Sequence, residues 1–140
     1  MPIGFEADSV WRARGRGFQM AAMQPEGIVI HLTGQVARDR HEQIVGKGDV
    51  EVQTRTCFQN IEALLAEVGG QLGDIISITT YFLDRAHLPV IQKVRNEFLD
   101  DKTAPVSTSI MVAGLGHEDF LIELTPIAVI PNQRFRQPDV

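Results

Sequence analysis

The chain has 140 residues, of which 44% are apolar and 22% charged, and it carries a formal net charge of −5. That length suits one domain over residues 1–140, which can bury roughly 70% of the surface its unfolded chain exposes. The composition excludes a disordered chain, the lack of any apolar run near 20 residues excludes a spanning helix, and the acidic balance argues against sequence-independent nucleic-acid binding.

The N-terminal stretch has Glu6 and Asp8 early and no apolar run, so it does not read as a signal peptide. Cys57 is the lone cysteine, which rules out an intrachain disulfide and points to a cytoplasmic location. Residues 5–14 are mixed in character and suit an edge hairpin. Arg12, Arg14 and Arg16 fit a solvated edge better than a basic patch. Residues 18–23 form a predicted strand, Gln24–Gly27 a turn, and residues 28–33 a β-rich strand, so the two strands are expected to pair as a hairpin.

Residues 36–48 are charged, end in Gly46-Lys47-Gly48, and read as an exposed loop. Asp49 is placed to cap a helix whose apolar stripe is Cys57, Phe58, Ile61, Leu64, Leu65 and Val68, ending at Gly69-Gly70. Residues 75–83, rich in Ile, Thr, Tyr and Phe, predict a central strand. Pro89 suits the first turn of a second helix that buries Val90, Ile91, Val94, Phe98 and Leu99. Residues 106–112 and 120–129 complete the series as strands.

The order β-β-β-α-β-α-β-β implies an α+β layer with both helices on one sheet face. In the last strand Phe120, Ile122 and Leu124 point one way and Leu121, Glu123 and Thr125 the other. The second face is too apolar to stand in water uncovered, so self-association is expected.

Chemistry-bearing motifs are few. His31, His41, His87 and His117 are scattered, and the lone cysteine cannot help them build a zinc site. No metal and no cofactor is therefore expected. Gly46-Lys47-Gly48 lacks the spacing of a phosphate loop. His31 and Cys57 read as structural residues. What remains is polar residues inside strands. Ser107 and Ser109 share one face of their strand, and Glu123 stands among apolar neighbours. A carboxylate there must be paired, hydrogen-bonded or available as an acid or base.

Six segments in order carry a family resemblance: Leu32-Thr33-Gly34-Gln35, Gly48-Asp49-Val50 through Asn60-Ile61, Leu72-Gly73-Asp74-Ile75, Asn96-Glu97-Phe98-Leu99, Ala104-Pro105-Val106-Ser107-Thr108-Ser109-Ile110, and Ile122-Glu123-Leu124-Thr125-Pro126-Ile127-Ala128. Together they resemble the reactive intermediate deaminase family, also called the YjgF or endoribonuclease L-PSP-like family, from about Phe18 to Ile130. The resemblance implies a chorismate-mutase-like fold and a homotrimer with inward-facing sheets and a small-molecule pocket at each subunit interface. In the family's deaminases an arginine binds the carboxylate of an imine or enamine acid. A glutamate positions the water that releases ammonia.

Carried over residue by residue, the glutamate falls on Glu123 and the pocket serine on Thr33, followed by Gly34. A pocket polar residue falls on Gln92, the pocket tyrosine near Phe18, and the position two beyond the arginine on Ser109. The arginine itself falls on Ser107, and a second acidic position falls on Thr125. A serine cannot grip a carboxylate bidentately, and losing such a grip costs roughly 2–5 kcal/mol. Ordinary 2-imino acids are therefore expected to be poor substrates. The expected site has Glu123 at the mouth of an interface cleft, facing Ser107 and Ser109 on the adjoining strand. Three functions compete: a hydrolase of an imine, enamine or related compound, a trimeric ligand-binding or regulatory module, and a ribonuclease.

Overall fold

The computed structural model describes residues 2–140. Its strands are β1 (Ile3–Phe5), β2 (Ala21–Met23), β3 (Ile28–His31), β4 (Ile75–Phe82), β5 (Val106–Met111) and β6 (Ile122–Ile130). Its helices are α1 (Val50–Ala66) and α2 (Leu88–Phe98). The main sheet is ordered β3-β6-β4-β5, with β4 and β5 parallel and the other pairs antiparallel. Both helices pack on one face of this mixed sheet, giving the expected α+β layer.

The local signals explain the helices. The Asp49 carboxylate accepts the Val52 N–H at 3.1 Å, satisfying one of the free donors of the first turn. Cys57, Phe58, Ile61 and Leu65 are fully buried, while Leu64, at the margin of the stripe, stays 46% exposed. Two polar residues, Gln53 and Thr54, share that buried face. Gln53 ties α1 to the loop before β6, donating to the carbonyls of Gly46 and Asp119 and accepting from the Leu121 N–H. Phe58 stacks on Phe98 at 5.0 Å between centroids, which locks α1 to α2.

The core lies between the helices and the near face of the sheet, formed by Ile78 and Phe82 of β4 and Ile122, Leu124, Ala128 and Ile130 of β6. β4 is internal, as its β-branched run predicts. The charged loop over residues 36–48 is exposed only in part, because Asn60 on α1 donates to the carbonyls of Val36 and Arg38, and Ala37 is buried.

The predicted pairing of residues 18–23 with 28–33 does not form. β2 pairs with β1, Gln19 bridges to Val106 at the start of β5, and β3 pairs with β6. A turn signal specifies that the chain reverses, not which strands the reversal joins. Here Gln24–Gly27 carries the chain from the small sheet to the far edge of the main one.

Candidate functional site

Pairing register decides which side chains can meet, because directly paired residues point to the same face. Ser107 pairs with Ile78 and Ser109 with Thr80, so both serines lie on the helix-side face at the β5 edge. Glu123 pairs with Tyr81, and Thr125 with Thr79, on the opposite face. β4 also separates β5 from β6. The expectation that Glu123 faces the two serines from an adjoining strand is therefore corrected: within one chain they occupy opposite faces, one strand apart. Alternation fixes the faces along each strand, but strand order and register relate one strand to another.

The open face holds the first group. Gly34 follows the exposed Thr33 and lies directly against Glu123 and Thr125. A methyl at Gly34 would overlap the Glu123 carboxylate oxygen and sit 2.9 Å from its Cδ and 3.0 Å from Thr125 Oγ1. The next residue, Gln35, pairs with Leu124 through both backbone hydrogen bonds, at 2.7 and 3.0 Å, which fixes the Thr33–Gln35 segment beside β6. Glu123 is half-buried, with Tyr81 and Thr125 as neighbours on its face. Below it, Cys57 Sγ donates to the Gln35 carbonyl at 3.3 Å. Burial, reinforced by the Glu123 charge, pushes the Cys57 thiol up to about 12, so it is an uncharged core group.

The helix-side face at the β5 edge holds the second group. Gln92 on α2 donates through Nε2 to the Arg16 carbonyl and to Asn96 Oδ1, and its Oε1 accepts from Arg95 Nη1 at 3.4 Å. Arg95 crosses beneath the helix and donates through Nη2 to Thr80 Oγ1 at 2.9 Å. Thr80 is the register partner of Ser109, so Gln92, Arg95, Thr80 and the serine face of β5 form one polar set. Gly17, in the left-handed region at φ 77°, packs on this set, its position leaving no room for a side chain beside Asn96 and Arg95.

Ser107 also lines, with Phe18, a cavity of about 270 Å³ that takes in Trp11, Ser77, Thr79 and Thr108. Phe18 meets Trp11 edge to face at 5.9 Å, and the Arg16 guanidinium lies 5.5 Å from the Trp11 ring. The basic cluster of the N-terminus is thus used locally: Arg12 pairs with Glu6 and Asp8, and Arg16 with aromatic faces. A larger hollow of about 600 Å³ between residues 34–40 and α1 contains only Gly34 of the predicted residues.

Two residues in these groups escaped the sequence reading. Arg95 reads as a surface charge, and its one signal was its place on the apolar stripe of α2 beside Ile91 and Val94. Thr80 reads as one more β-branched strand residue. Among the described residues, no three His, Cys, Asp or Glu side chains cluster as metal ligands, and no helix is long and apolar enough to cross a membrane.

The family model described as endoribonuclease L-PSP matches residues 17–130, which contain both polar groups. The RutC family protein slr0709 of Synechocystis is 31% identical over 104 residues, spanning 74% of this chain and 79% of that protein. The RutC family protein PYRAB12510 of Pyrococcus abyssi is 31% identical over 102 residues, spanning 73% and 79%. The structure of YyfB from Yersinia pestis, a Rid family protein of unknown function, superposes with a TM-score of 0.86 at 24% identity, covering 92% of this chain and 98% of that one. Escherichia coli TdcF with bound serine superposes at a TM-score of 0.65 with 28% identity, covering 79% and 91%. The chain therefore belongs to the endoribonuclease L-PSP family, the family of the YjgF, Rid and RutC proteins.

Proposed function

We propose that this protein is a cytoplasmic small-molecule hydrolase, active as a homotrimer, that opens the C=N bond of an imine, an enamine tautomer or a related compound. One observation carries the reading: Glu123 stands half-buried on the uncovered sheet face, hard against the Gly34 backbone. In a second copy of the chain, the β5 edge supplies Ser107 and Ser109, with Gln92 behind them. The two polar groups lie on opposite faces of one chain, so a site containing both needs two copies. The same open face exposes Val29 and Ile110, which association would cover. The serine bound to E. coli TdcF supports a small-molecule site in this fold.

In this site Glu123 accepts a proton from water as the water oxygen bonds to the C=N carbon. That proton passes to the nitrogen, giving a carbinolamine. The new hydroxyl then gives its proton, through Glu123, to the amino group, and the C–N bond breaks as the C=O bond forms, so that ammonia leaves behind a carbonyl compound. Thr33, Ser107, Ser109 and Gln92 hydrogen-bond the ligand, and Phe18 borders Ser107 in the cavity they share. Ordinary 2-imino acids are poor substrates, because the carboxylate bonded to their reacting carbon meets Ser107 where a guanidinium would be needed. That same serine favours the second reading, a trimeric ligand-binding protein without turnover.

Ammonia release from imines generated in solution separates the two. The expected result is accelerated release by the wild type, falling roughly 10²–10⁴-fold in Glu123→Gln with the fold intact. Equal rates for both proteins would end the catalytic reading. Light scattering should give about three times 15.5 kDa, and a stable monomer would end the interface reading.

A further inference from the structure

Most of the buried polar side chains have their work in the fold. Gln53 satisfies three backbone groups, Thr54 bonds the Val50 carbonyl, and Asp74 takes both terminal nitrogens of Arg134. Arg95 is different. It is 4% exposed, yet among the described residues it has no carboxylate partner. A guanidinium has five N–H donors. Here two hydrogen bonds engage it, one of them at 3.4 Å, and its buried Nε–H has no acceptor. Burial lowers its pKa, but arginine keeps its charge, so the helix layer holds an unneutralised cation. A buried charge of this kind is costly unless something pairs with it.

Its position gives that pairing a purpose. Arg95 lies one turn from Gln92 and bonds Thr80, whose register partner is Ser109. On the β5 edge beside Thr80, Ser109 is exposed and Ser107 half-buried. We propose that Arg95 is the anion-binding residue of this site, and that it takes a carboxylate set two or more methylenes from the reactive C=N carbon. This rests on the interface reading above and specifies its substrate class. The spacing follows from depth. Arg95 is recessed between α2 and the sheet, whereas Glu123 would approach from the open face of another copy. A ligand that touches both is elongated, and a 2-imino acid, with its carboxylate on the reacting carbon itself, does not span them.

The test reads binding without turnover, so it stands or falls separately from the proposed chemistry. Calorimetric titrations compare levulinate, whose carbonyl lies two methylenes from the carboxylate, with pyruvate and with uncharged butanone. Levulinate should bind saturably and weaken about 30-fold or more in Arg95→Met, with partial recovery in Arg95→Lys. Pyruvate and butanone should bind weakly, with no dependence on Arg95. If Arg95→Met does not fold, the Arg95 Nε–H proton resonance of the wild type replaces it, and levulinate should shift that resonance. The inference is overturned by an absence of saturable levulinate binding, by equal binding in wild type and Arg95→Met, by a stationary Nε–H resonance at saturation, or by pyruvate binding as tightly through Arg95.

Discussion

Replacing Gly34 with alanine separates stability from activity at this site. The backbone at Gly34 lies outside the left-handed region, so alanine adopts it without strain. Reduced freedom of the unfolded chain should even stabilise by about 0.4–1 kcal/mol. The added methyl, however, would stand 2.9 Å from Glu123 Cδ, against an ordinary carbon contact of about 3.5–4.0 Å. The carboxylate is the free end of a flexible side chain, so it yields by about 1 Å at little cost to the fold. A misplacement of about 1 Å at a reacting group costs on the order of 10²-fold in rate. Gly34→Ala should therefore unfold within about 1 kcal/mol of the wild type while its kcat/KM for ammonia release falls about 10²-fold. Thermal unfolding and steady-state kinetics on the same sample measure both. Activity within about two-fold of the wild type, in a variant whose crystal structure shows the carboxylate displaced, would refute a catalytic role for Glu123.

Other consequences follow from named contacts. Cys57, its pKa raised to about 12 chiefly by burial, should resist alkylation at pH 8 in the native protein and react on unfolding. Because the folded value is raised, its contribution to stability is present below the ordinary thiol range and declines as pH rises toward about 12. Arg134→Ala leaves the fully buried Asp74 carboxylate with the Gln71 N–H as its remaining hydrogen-bond donor. Breaking a buried pair costs about 3–5 kcal/mol, and the 36% exposure of the Arg134 side chain reduces the expected loss to about 1–3 kcal/mol. Calorimetry should show a Tm lower by about 3–4 °C per kcal/mol.

The helices were legible because their information is local. Asp49 and the Cys57–Phe58–Ile61–Leu65 spacing lie within one helix, and the capping bond and the buried stripe follow from them. The expected β2–β3 hairpin failed because Gln24–Gly27 encodes a reversal and not a partner. Glu123 is expected to face the serines from an adjoining strand, and that fails for a related reason: parity along a strand is local, but relating two strands requires the intervening β4 and its register. Gly34 was read from a motif, and only the structure shows that the carboxylate leaves no room for a side chain there. Arg95 went unread because a charged residue on a helix ordinarily faces water, and its burial depends on Thr80, fifteen residues away in sequence.

The division of the polar residues between two faces leads to a final test. If each site takes Glu123 from one copy and the serine edge of β5 from its neighbour, two inactive variants should repair each other. Glu123→Gln removes the first half. Ser109→Phe blocks the second, and because Ser109 is exposed in the single chain, the larger side chain does not disturb the core. Each variant alone should release ammonia at a small fraction of the wild-type rate. Refolded together in equal amounts, the chains should associate at random, and about a quarter of the interfaces should join an intact Glu123 to an intact β5 edge. The mixture should then recover about a quarter of wild-type activity, with an unchanged KM at the repaired sites. A site built within one chain has no route to repair, because every chain in the mixture carries a defect. Activity no greater than the sum of the two separate variants, in mixtures that light scattering shows to be assembled, would overturn the two-copy site.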